Sequence, residues 1–466
     1  MRTRKVLLPL LAVLVPIPAI GPAFAAASDQ GPTIKITQDP TGQLATLTPN
    51  GPIDRSNPFF QALGTNGRSC SSCHAAADGW SISAADVRAR FNATNGTDPI
   101  FRLVDGANSP LADVSTVDAR RSAYSMLLKY GDIRVGLPIP ANAEFILTAV
   151  DDPYGYASAA QLSLFRRPLP ATNLRFLTGV QWDARETVAP FKPPMDAGID
   201  HGVLVASLSS QARDAVLTHE QGAEPTAEQL AQMVHFELSL TTAQLYDIEA
   251  GYLDTAGAMG GPRSLANEQF YVGINDPLGG NPTGAAFTPE AIRLFDAWIS
   301  RSRDSSHKWA RAAILRGQTL FNTLPIAITG VAGLNDVTGK AVIHGHCSTC
   351  HNAPNVGNHS TGAPLNIGIS AAGRRTPDLP LYTLTNITTG ESVQTTDPGL
   401  ALITGKWADI GKFKGPILRG LAARAPYFHN GSAATLGNVI DFYNQRFNIG
   451  ITAQQKHDLV MFLRSL

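Results

Sequence analysis

The chain has 466 residues, 44% of them apolar and 16% charged, which is enough to bury sizeable cores and, by length, to form two domains. That balance excludes a disordered tail and a membrane bundle. The 37 lysines and arginines match the 37 aspartates and glutamates, so nothing in the charge points to a nucleic-acid or anionic-membrane partner.

The first 25 residues read as an export leader. Arg2, Arg4 and Lys5 precede an apolar run over residues 6–15, and Ala23-Phe24-Ala25 offers a small-residue cleavage site. Pro9, Pro16 and Pro18 break a run too short to span a bilayer as a helix. The mature chain is therefore expected in the periplasm, with no membrane anchor after cleavage.

Beyond the leader, Phe59, Phe60 and Leu63 lead through loop and short helix to a first cysteine pair. A Pro/Gly/Asp-rich stretch over about 95–170 follows, in which residues 144–150 form a candidate strand. Thr226 caps a helix bearing Leu230, Met233 and Val234, and Thr288-Pro289 opens another bearing Ile292, Phe295 and Ile299. Small and charged residues over 302–309 mark a domain boundary. Ile314, Gly317, Leu320 and Phe321 then fall at helical spacing ahead of a second cysteine pair. Near the end, Thr435 caps a helix carrying Leu436, Val439, Ile440 and Tyr443, and Thr452 with Gln455 forms a capping box ahead of Leu459, Phe462, Leu463 and Leu466. The pattern predicts a mainly α fold with loop-rich insertions, divided into residues 26–305 and 306–466.

All four cysteines fall in two copies of one pattern, Cys70-Ser71-Ser72-Cys73-His74 and Cys347-Ser348-Thr349-Cys350-His351. This is the attachment signature of a c-type haem, in which two thiols bond the porphyrin's vinyl groups and the next imidazole ligates iron. A zinc ribbon would need the two pairs close in sequence. Structural disulfides would not explain a histidine after each pair, and a redox CxxC would need a βαβ context. The motifs imply two covalently bound haem c groups, with His74 and His351 as iron ligands.

Five further stretches carry a resemblance. Lys412-Phe413-Lys414-Gly415-Pro416-Ile417-Leu418-Arg419, Ala425-Pro426-Tyr427-Phe428-His429-Asn430-Gly431-Ser432 and Asp458-Leu459-Val460-Met461-Phe462-Leu463-Arg464-Ser465-Leu466 resemble the diheme bacterial cytochrome c peroxidase family, which includes the enzyme that matures methylamine dehydrogenase. Gln181-Trp182-Asp183-Ala184-Arg185 and Leu208-Ser209-Ser210-Gln211-Ala212 are similar to two more of its elements. The resemblance implies two cytochrome c-like haem domains. The C-terminal haem would take electrons from a small cytochrome or copper protein and pass them to the N-terminal haem, where hydrogen peroxide is reduced. Calcium between the domains is known in the family, but no site for it can be assigned to residues here.

Two departures bear on chemistry. Lys412 stands where the family's peroxidases have an iron-ligating methionine, so the resemblance implies Lys412 as a ligand, the alternatives being a surface lysine with His429 on the iron or an open position. Ser210 stands where they have a proton-transferring acid, and Glu186 and His219 are the nearest replacements in sequence. Trp182 and Trp407 are the candidate relays between the haems. Two other readings keep the same haems: oxidation of an organic or protein substrate, and electron transfer without catalysis.

Overall fold

The computed structural model describes residues 31–188, 201–301 and 306–466; the expected leader lies outside them. Helix is the larger share, 32% against 18% strand. The expectation of a mainly α fold understates the sheet, however, because sheets join segments far apart in the chain.

Three of the expected helix starts are built as their local chemistry requires. Thr226, Thr435 and Thr452 each accept from the backbone amide three residues on, and the side chains of Gln229, Asn438 and Gln455 reach back to the cap amides. Each reciprocal pair satisfies two donors that an open helix end would leave bare. The last helix, Ala453–Arg464, packs along Lys308–Thr323. Gly317 makes that approach work, since a Cβ there would run into the Asp458 carbonyl, and Arg316 closes the contact with two 2.8 Å bonds to the Asp458 carboxylate.

The helix expected from Thr288-Pro289 does not form; the segment runs as turns, and only Trp298–Arg301 is helical. Its amides are taken by side chains of the neighbouring helix instead: Ile292 N donates to Asn322 Oδ1 (3.3 Å) and Phe295 N to Gln318 Oε1 (2.9 Å). Ile292 and Phe295 are buried all the same, whereas Ile299 is 69% exposed. The core they enter also contains Ile314, Phe321, Leu459 and Phe462, so it draws on residues from both sides of the boundary expected near 305.

An antiparallel four-stranded sheet runs in the order Thr33–Asp39, Gly42–Thr48, Thr241–Asp247, Gly251–Tyr252. The strand expected at 144–150 appears as Phe145–Asp151. It forms one edge of a three-stranded sheet whose other members, Leu381–Asn386 and Ser392–Thr395, come from the second half of the chain. Arg375 pairs with Asp151 at its end. Among the described residues no helix is long and apolar enough to cross a membrane.

Candidate functional site

Each cysteine motif is one tight turn. Cys73 N and His74 N both return to the Cys70 carbonyl (3.1 and 3.0 Å), and Ser72 Oγ accepts from Ser69 N (3.0 Å). The second motif repeats this, with His351 N on the Cys347 carbonyl (3.0 Å) and Thr349 Oγ1 accepting from His346 N (2.9 Å). No disulfide forms at Cys70, Cys73, Cys347 or Cys350. Burial raises all four thiols, Cys347 and Cys350 to about 12.

The two imidazoles are oriented alike. His74 Nδ1 lies 2.9 Å from the Trp80 carbonyl and His351 Nδ1 2.7 Å from the Gly357 carbonyl. A carbonyl can only accept, so in each ring Nδ1 carries the proton and Nε2 is left with its lone pair. A pair of unbridged thiols beside an imidazole with a free Nε2 is the donor set that haem c requires, and both turns fit it. Phe59 flanks His74 and Phe321 flanks His351, at ring-centre separations of 6.3 and 6.0 Å.

A cavity opens in front of the first turn. Cys70, Cys73 and His74 line it together with Trp182, Gln211 and His219. Its polar chemistry is concentrated in a chain of groups that begins two residues before the motif: buried Arg68 pairs with buried Asp105, whose other carboxylate oxygen meets His219 Nδ1. Burial opposes charge on Asp105, but Arg68 and His219 outweigh it and hold the carboxyl below its ordinary range. Next to His219, Glu220 accepts from Leu63 N (2.9 Å) and faces Cys70 Sγ at 3.7 Å. Burial raises Glu220 to about 7. Glu237 is likewise buried, has one carboxyl oxygen without a partner, and is raised to about 8 by burial alone.

The remaining candidates fall as follows. Glu186 Oε2 accepts from Ser210 Oγ at 2.8 Å, so the residue in place of the family's acid is bonded to the acid suggested as its substitute. Burial raises the Glu186 pKa, and the Ser210 hydroxyl opposes that rise. Neither lines the cavity, though their neighbours Arg185 and Gln211 do. Lys412 is buried, and its Nζ donates to Asp409 Oδ1 at 3.0 Å. Among the described residues no group of three or more His, Cys, Asp or Glu side chains is placed to hold a metal ion.

Of the two candidate relays, Trp182 alone faces the cavity at the first cysteine turn. It donates from Nε1 to the Arg167 carbonyl (2.8 Å) and meets His429 edge-on at 6.2 Å. His429 stacks on Phe413 at 4.2 Å. Trp182 shares an apolar cluster with Phe428, Phe442 and Tyr443, and the Tyr443 phenol is buried close enough to Cys347 and Cys350 for both thiols to act on it electrostatically. Trp407 instead packs on Phe145. Asp105, Glu220 and Glu237 carried no motif in the sequence; the only local hint was Glu220 directly following His219.

No family model matches the chain. Among curated proteins it is 37% identical over 145 residues to cytochrome-c peroxidase IdrP2 of Denitromonas iodatirespirans, taking in 29% of this chain and 38% of that one. To IdrP2 of Pseudomonas sp. (strain SCT) it is 30% identical over 189 residues, 34% of this chain and 51% of the other. The chain thus spans about half or less of the length of these relatives. A solved MauG-like protein associated with microbial copper homeostasis aligns over 92% of this chain and 93% of its own, with 15% identity and a TM-score of 0.38. The two Cys-x-x-Cys-His turns and the partial matches to curated cytochrome-c peroxidases agree with the resemblance to the diheme cytochrome c peroxidase family.

Proposed function

We propose that the chain is a periplasmic diheme c-type oxidoreductase that reduces hydrogen peroxide with electrons from a small cytochrome or copper protein. The observation that carries this reading is the His219–Asp105–Arg68 chain at the mouth of a cavity lined by His74. One haem would be attached at each turn, in units of 26–305 and 306–466, after loss of residues 1–25. The haem at Cys70 and Cys73 would supply the iron that delivers electrons to peroxide.

What falls to the side chains is proton supply, because two electrons and two protons turn one peroxide into two waters. Asp105 accepts a hydrogen bond from the Nδ1–H of His219, fixing the tautomer so that Nε2 is free to exchange a proton. The His219 side chain is 35% exposed, which links the cavity to solvent. Glu186, joined to Ser210, is the second carrier in this reading. Lys412 would serve the second iron as ligand once its amine leaves Asp409 and loses its proton, since an ammonium has no lone pair.

The test is peroxide consumption by the reduced protein, alongside carbon monoxide binding to the ferrous form. Turnover with carbon monoxide bound at one iron per chain is the expected result. A chain that binds no carbon monoxide and consumes no peroxide is an electron carrier, and the proposal falls.

A further inference from the structure

We infer that Lys414, Arg419 and Arg424 form an anion cradle for the two propionate carboxylates of the haem attached at Cys70 and Cys73, an assignment that rests on the haem reading above. The argument begins with charge pairing. Of the cations around the first cavity, Arg68 has Asp105, Arg166 has Asp183 and Asp397, and Arg185 has Asp183. Arg167 has buried Asp132 nearby.

Lys414 and Arg424 have no carboxylate bonded to them, and Arg419 has only the last residue of the sequence, Leu466, on Nε with Glu268 nearby, yet the three are only 7%, 3% and 9% exposed. Lys414 Nζ makes no hydrogen bond or ion pair among the described residues. Arg419 donates to an oxygen of the last residue, Leu466 (3.0 Å), and to the Asn355 carbonyl (2.8 Å), leaving Nη2 buried and bare. Arg424 donates only to the carbonyls of Gly420, Ile417 and Arg419. All three line the cavity that holds the first cysteine motif.

Cations buried without counter-ions are strongly unfavourable unless an anion completes the site. The acids of the cavity do not supply one. Asp105 is committed to Arg68 and His219, and Glu220 lies against Cys70. Glu237 acts electrostatically on the same thiol. The cavity therefore has acids set against its thiols and, elsewhere in its lining, three cations that none of those acids neutralises. A porphyrin bonded through its two vinyl-bearing rings carries its propionates on the other two, so its own dianionic edge matches those three cations.

The experiment uses full-length Lys414→Met and Lys414→Arg, because Arg419 and Arg424 also tie backbone carbonyls and their loss could unfold the chain. Pyridine haemochrome counts haem, and spectroelectrochemistry gives the potential of each centre. Two haems per wild-type chain, a Lys414→Met potential at the first centre lowered by at least threefold in the redox equilibrium constant, an unchanged second centre and recovery in Lys414→Arg are expected. Two haems with an unaltered first-centre potential in Lys414→Met overturn the cradle alone. Fewer than two haems in the wild type overturn it together with the haem reading.

Discussion

Replacing Asp105 by asparagine removes a carboxylate that serves two partners at once. Arg68 is almost fully buried, donates to Asp105, and gives further bonds to the carbonyls of Pro99, Ile100 and His219. Without the carboxylate its charge is stranded, a situation that costs about 3–5 kcal/mol. His219 loses a charge-assisted bond as well, but its ring is partly exposed and water replaces much of that, leaving roughly 1 kcal/mol. Urea unfolding followed at the first haem should therefore show Asp105→Asn destabilised by about 4 kcal/mol, and His219→Gln by much less. The control is Arg68→Met with Asp105→Asn, which removes both charges and should recover part of the loss. In turnover the order reverses in meaning: His219→Gln should cut peroxide reduction while the fold stands. If Asp105→Asn unfolds within about 1 kcal/mol of wild type and the double variant is no better, the pair does not bear the charge as argued.

Three other outcomes follow from the site. Glu237 is uncharged in the fold up to about pH 8 but ionises near 4.3 when unfolded, so its stabilising contribution is complete below that unfolded value and falls as pH rises toward 8; Glu237→Gln should flatten that fall, and denaturation midpoints at pH 5 and pH 8 that change equally in both proteins would contradict it. Electron paramagnetic resonance of oxidised Lys412→Met should show a nitrogen-ligated low-spin centre become His/Met; spectra identical to wild type would remove Lys412 as ligand. Trp182→Phe should slow electron equilibration between the two centres in rapid-mixing experiments while Trp407→Phe leaves it unchanged, and the opposite pattern would place the route elsewhere.

What could be read from the chain alone was what is decided within a few residues. The Cys-x-x-Cys-His turns need only the spacing of Cys70, Cys73 and His74, and the caps at Thr226 and Thr435 and the capping box at Thr452 are likewise set within three positions. The segment after Thr288 looked equally helical, but Gln318 and Asn322 compete for its amides from another helix, and no local pattern announces that. Asp105 and Glu237 were hidden for the same reason, since a buried acid takes its character from what encloses it. Glu186 is the acid nearest in sequence to replace the one missing at Ser210, and the two side chains are bonded, although neither lines the cavity. Trp182 and Trp407 could not be ranked without knowing which faces the first cavity.

The sheet built from Phe145–Asp151, Leu381–Asn386 and Ser392–Thr395 ties together two stretches separated by about half the chain. Neither is self-sufficient. Leu381–Asn386 pairs along its length with Phe145–Asp151, and cutting out residues 144–151 would leave a row of open amides and carbonyls, the kind of edge that recruits other molecules. The two segments are thus one module written in two places. A chimera or a shortened variant has to carry both or neither, and a homologue that had gained only one would need a different cover for that edge.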